Sequence, residues 1–113
     1  MSKLTDEDAE AVRSWLDRHE FQHVSSVGGD GTSFGDRQDV WERDGTLIRV
    51  TRDRGQWWYD MSRAGTDSWL DVDTVVGAMG YKQTQPAERV AVVASSVDDR
   101  VYGALLSAEL HSH

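Results

Sequence analysis

A chain of 113 residues with 38% hydrophobic and 9% aromatic content supports one domain, residues 1 to 113, around a single core and is too short for two. Twenty Asp and Glu against twelve Lys and Arg leave a net charge of -8, which argues against a nucleic-acid partner because phosphate-backbone binders concentrate cationic surface. The chain has no cysteine, so disulfides, thiolate metal sites and a cysteine nucleophile are excluded and a reducing, cytoplasmic setting is expected. The opening MSKLTDEDAEAVR is acidic where a signal peptide would be basic. No window approaches the roughly 18 apolar residues of a membrane span, so no membrane partner is expected either.

Thr5, with Asp8 three residues on and carboxylates in the first turn, predicts a helix start, since the helix dipole favours negative charge there. Ala9, Val12, Trp15, Leu16 and His19 form its apolar stripe, Leu4 packs back as a staple, and the helix ends at about Glu20. Trp15 reads as a core anchor and His19 as half-buried. FQHV after it fits either a helix end or a short strand, and SSVGGDGTSFGD reads as a glycine-rich loop without periodicity.

Two-residue turns at Asp44-Gly45 and Arg54-Gly55 predict three antiparallel strands, roughly Gln38 to Arg43, Thr46 to Asp53 and Gln56 to Ser62. The turns fix the register: Arg43 opposite Thr46, Trp41 opposite Ile48, Val50 opposite Tyr59, Arg49 opposite Asp60 and Ile48 opposite Met61. Trp41, Ile48, Val50, Trp57, Tyr59 and Met61 then share the buried side. Val40, Glu42, Leu47, Arg49, Thr51, Gln56, Trp58 and Asp60 share the other. A fully exposed Trp58 is unusual, so it is either covered by a helix or loop or reserved for a partner.

Trp69 and Leu70 fit a short strand or clamp. Asp71 then N-caps a helix with Val72, Val75, Val76 and Met79 on its stripe, and Gly80 supplies a left-handed stop. Pro86 suits the first turn of another helix, Ser95-Ser96 interrupts it, and Val97, Val101, Ala104, Leu105 and Ala108 continue a helical pattern. The fold class is α+β: a three- to four-stranded antiparallel meander with an N-terminal helix and two to three C-terminal helices packed on one face.

Little here assembles chemistry. His19 and His23, spaced i and i+4, would share a metal only on a continuous helix and lack a third ligand, and His111 and His113 lie in a tail, so no metal site is expected. VGGDGTSFG offers Asp30 and Asp36 where a phosphate loop needs a lysine and a helix N-terminus, and it lacks the ligand spacing of a calcium loop. Asp67, Asp71 and Asp73 resemble paired carboxylates, but capping explains Asp71. No nucleophile flanked by a base is present, so neither an enzyme nor a cofactor is expected. Residues 46 to 63 carry four arginines against two aspartates and read as a locally cationic stretch of an acidic protein.

GTLIRVTRDRGQWWYDMS followed by WLDVDTVVGAMG, with the later PAERV and DDRV segments, resembles small bacterial proteins, common in actinobacteria, regarded as immunity proteins of polymorphic toxin systems. The resemblance covers about two-thirds of the chain and leaves the first helix and the loop from Ser25 to Gly35 undetermined. It implies a cytoplasmic, non-enzymatic antitoxin, monomeric or homodimeric, that binds a cognate toxin protein. A basic toxin would suit the acidic charge. The surface expected to contact it is the sheet face with Arg49, Trp58, Asp60 and Glu42 together with the loop around Asp30 to Asp36. Two alternatives remain: a small-ligand or regulatory module with a pocket between sheet and helices, and a structural homodimer formed through an open sheet edge.

Overall fold

A computed structural model describes residues 4–28, 37–81 and 85–111. The chain is α+β, with α1 (Asp6–Arg18), five strands β1 (Gln22–Gly28), β2 (Arg37–Arg43), β3 (Thr46–Asp53), β4 (Gln56–Arg63) and β5 (Leu70–Asp71), then α2 (Val72–Ala78), α3 (Pro86–Ser96) and α4 (Asp99–His111). The strands form one antiparallel meander in the order β1-β2-β3-β4-β5.

Both tight turns form where expected. Asp44 and Gly45 adopt φ 52° and 84°, and Arg54 and Gly55 φ 54° and 77°, the left-handed pairs that let a two-residue turn follow the sheet twist. They impose the anticipated pairing, including Trp41 with Ile48, Arg49 with Asp60, Val50 with Tyr59 and Ile48 with Met61. Ile48, Val50, Tyr59 and Met61 are fully buried, and Trp41 and Trp57 nearly so. Removing such side chains from water contributes about 1.5–3 kcal/mol each.

α1 lies across this buried face. Its capping box is complete, with the Thr5 side chain accepting from the Asp8 amide and Asp8 reaching back to the Thr5 amide. Ala9, Val12 and Leu16 enter the core. Two indoles pin the helix at both ends: Trp57 Nε1 donates to Asp6 Oδ1 at 2.8 Å and Trp41 Nε1 donates to Asp17 Oδ1 at 3.1 Å. Acidic residues of the first helix thus satisfy the only polar atom of each core tryptophan, as a buried indole requires. Leu4 bonds its backbone to Trp57 as a single bridge beside β4.

α2 is capped by Asp71, which accepts from the Thr74 amide, and stops at Gly80 with φ 83°. Pro86 opens α3, which ends at Ser96 where Val97 turns inward. α3 packs on α1 and α2, and α4 meets the far end of β4. There Tyr102 donates to the Ser68 carbonyl beside buried Ser62, and Arg63 Nε donates to Asp99 at 2.8 Å.

The structure differs from expectation in four places. Residues 25–28, expected in a loop, continue β1 and pair with β2 through a register shift between His23 and Ser25. Every β1 residue is exposed, so no alternation marked it as a strand. Trp15 is half-buried at the rim of the core instead of anchoring it, stacked on His19 with ring centroids 4.1 Å apart. His19 is exposed and caps the helix end by donating Nδ1 to the Trp15 carbonyl at 2.8 Å. Finally, Leu70 and Asp71 make the fifth strand while Trp69 precedes it.

Candidate functional site on the outer face of the sheet

The strand register arranges the side of the sheet opposite the core in rows. One row runs Val27, Gln38, Thr51, Trp58, and the next runs Ser25, Val40, Arg49, Asp60, Asp71. Trp58 is half-buried. With Gln38, Arg49, Thr51, Asp53 and Asp60 it lines an open depression of about 400 Å³. At the Ser62 end the same face is closed by Thr66, Ser68 and Tyr102. At the Trp58 end it opens to solvent.

Arg49 is fixed at the centre. Its guanidinium lies 4.3 Å above the Trp69 ring and donates from Nε and Nη2 to Asp60 Oδ2, at 3.3 and 2.9 Å. The arginine is therefore held on one side by a ring face and on another by a carboxylate. Both bonds land on one Asp60 oxygen, so the other keeps its acceptor capacity. Burial pushes the Asp60 carboxyl up; Arg49 draws it back by hydrogen bond and charge, Asp71 pushes it up again, and the net result is a rise. Asp71 spends Oδ2 on the α2 cap, while its Oδ1 is buried with no hydrogen-bond partner among the described residues.

The expected cationic stretch does not survive folding. Arg49 is paired with Asp60, Arg63 donates to Asp99 and Thr46, and Arg52 lies on the core side, 5.8 Å from the Trp57 ring. Strand alternation sends neighbouring arginines to opposite faces, so their sum along the sequence describes no single surface. The outer register positions carry Glu42, Asp53, Asp60 and Asp71 against Arg49, which makes this face acidic.

Of the residues singled out from the sequence, Arg49, Trp58 and Asp60 come together. Glu42 does not join them: it lines a separate depression of about 460 Å³ with Glu20, Gln22, Arg43, Asp44 and Gly45. Asp30 and Asp36 lie outside the described residues. Gln38, Thr51 and Asp53 were missed, although the register that places Trp58 also places Thr51 beside it and Gln38 beyond. Trp69 was missed as the partner of Arg49 because it precedes the two-residue strand and no strand pairing marks its contact.

Two further groups of titratable side chains lie on the core side. Asp39, 1% exposed, accepts from Arg37 at 2.7 and 3.1 Å and from His23 Nε2 at 3.0 Å. Burial pushes its carboxyl up, but bonds from Arg37, Ser26 and His23 outweigh that and hold it below the ordinary range. Ser26 bonds the carboxylate and not the imidazole, so the three residues do not form a nucleophile-base relay. Asp73 accepts from the buried Tyr59 phenol and, at 2.6 Å, from Arg89. Burial and the Asp73 bond raise the Tyr59 phenol well above its usual value. His19 and His23 are separated by the end of α1, and no group of three His, Cys, Asp or Glu suited to a metal exists among the described residues. Among the described residues, no helix is long and apolar enough to cross a membrane.

Comparison of the chain with protein-family models, with curated proteins and with solved structures found no match.

Proposed function

We propose that the protein binds another protein through the outer face of its sheet, as an immunity protein that neutralises a cognate bacterial toxin in the cytoplasm. The observation that carries this reading is Trp58, a large aromatic left partly accessible in an open depression beside an arginine-carboxylate pair. Tryptophan and arginine dominate the energetics of protein interfaces, and a rigid ring beside pre-arranged polar groups loses little freedom on docking. The immunity role adds the resemblance of residues 45–80 to that class of antitoxin, and the net charge of -8 suits a basic toxin by steering encounter. The depression lies on the outside of the sheet and opens to solvent, a setting that suits a partner surface.

The test is capture of the product of the adjacent gene, with affinity measured by calorimetry. Trp58→Ala is expected to weaken the complex by about 2 kcal/mol or more, roughly thirtyfold, while circular dichroism stays unchanged. Undiminished affinity would rule this face out.

A further inference from the structure

The outer face is acidic, and its depression combines an indole with carboxylates. Asp53, Asp60 and Trp58 line one hollow with Gln38 and Thr51 as neutral hydrogen-bonding neighbours. Arg49 and Asp60 largely neutralise each other in that hollow, so Asp53 is the charge that remains. An anionic occupant would meet Asp53. An apolar one would strip water from both carboxylates without replacing their hydrogen bonds, a costly exchange. A cation gains on both counts, through the negative face of the indole and through a charge-assisted bond to Asp53.

We infer that the depression takes a cationic side chain of the partner, an arginine or lysine laid over Trp58 with its head at Asp53. This deepens the protein-binding reading above and rests on it for the identity of the donor as a partner protein. The volume of about 400 Å³ holds one long side chain and several waters, a water occupying about 30 Å³.

The probe is N-acetyl-arginine methylamide, titrated into 15N-labelled protein at low salt, with the norleucine and glutamate analogues as controls. Saturable shifts are expected at the Trp58 indole N–H and at the Thr51 and Asp53 amides for arginine alone. Binding should weaken roughly fivefold or more in Asp53→Asn and in Trp58→Ala. Asp53 is exposed at the end of its strand, so its substitution reads the charge without disturbing packing even where Trp58→Ala perturbs the fold. Equal shifts with norleucine would make the hollow an apolar pocket and overturn the inference. So would arginine shifts scattered over the acidic surface without Trp58. No toxin enters this titration. Arginine binding without capture of the adjacent-gene product would leave the cation site standing and remove the immunity reading; Trp58-dependent capture without arginine binding would do the reverse.

Discussion

Two carboxylates within one sheet are tuned in opposite directions, and the difference separates a residue that holds the fold from one that weakens it. Asp39 is held below the ordinary carboxylate range despite its burial, by Arg37, Ser26 and His23. A depressed folded pKa contributes stability that is present above the unfolded value of about 3.9 and is lost as pH falls through the folded value. Asp39→Asn should therefore lower stability at pH 7 by about 1–2 kcal/mol, and urea titrations at pH 7 and pH 2 should show the gap to wild type closing in acid. Asp60 has the opposite sign: its net rise means that ionisation opposes folding, so stability falls as pH climbs from about 3.9 through the raised value. Asp60→Asn keeps an acceptor for Arg49 and removes the repulsion from Asp71. Its urea midpoint at neutral pH should equal or exceed that of wild type while partner affinity drops, and a clear loss of stability would contradict this account. Asp39 shares the core-facing parity of Trp41, and this much was legible in the sequence. Its partners His23 and Ser26 were not, because FQHV read ambiguously as helix end or strand and Ser26 fell in an expected loop.

Elements were readable where local chemistry forced them. Asp44-Gly45 and Arg54-Gly55 announce turns because their backbones must enter the left-handed region, and once the turns are fixed, the register and the buried side follow. Thr5, Asp71, Pro86 and Gly80 likewise mark helix ends by satisfying or lacking particular backbone groups. β1 gave no such sign, since its strand state comes from backbone bonds to β2 and not from a buried side. The candidate site was half legible: alternation placed Arg49, Trp58 and Asp60 on one side, but Trp69 reaches Arg49 through a contact that strand pairing does not reveal. The joint between α2, α3 and β4 was equally invisible, because it converges on Asp73 from residues 14 and 16 positions away. Asp73→Ala removes the acceptor shared by the Tyr59 phenol and the Arg89 guanidinium. The expected loss is about 2 to 3 kcal/mol, near the lower end for a broken buried ion pair because Arg89 and Asp73 remain 19% and 17% exposed. Tyr59→Phe leaves the Asp73–Arg89 pair in place and should cost about 1 kcal/mol. Urea unfolding followed by tryptophan fluorescence separates the two.

At the scale of the whole molecule, salt should act on folding and on binding with opposite signs. A net charge of -8 on 113 residues makes the compact state repel itself, and the Debye length shortens to about 10 Å at 0.1 M salt, enough to screen charges spread across the surface. The pairs that hold the fold, Arg37 with Asp39 and Arg89 with Asp73, are in direct contact and partly buried, where screening is weaker. Moderate salt should relieve more repulsion than attraction. Raising sodium chloride from about 20 to about 200 mM is expected to stabilise the protein by on the order of 0.5 kcal/mol, roughly 2–4 °C in Tm. A basic partner would feel the reverse, because the same screening removes long-range attraction, and its association rate should fall with salt while dissociation changes little. Calorimetry on the free protein and stopped-flow mixing with the partner test the two signs separately. A Tm that drops with salt would mean that ion pairs outweigh self-repulsion. A salt-independent association rate would mean that the acidic outer face does not steer the encounter.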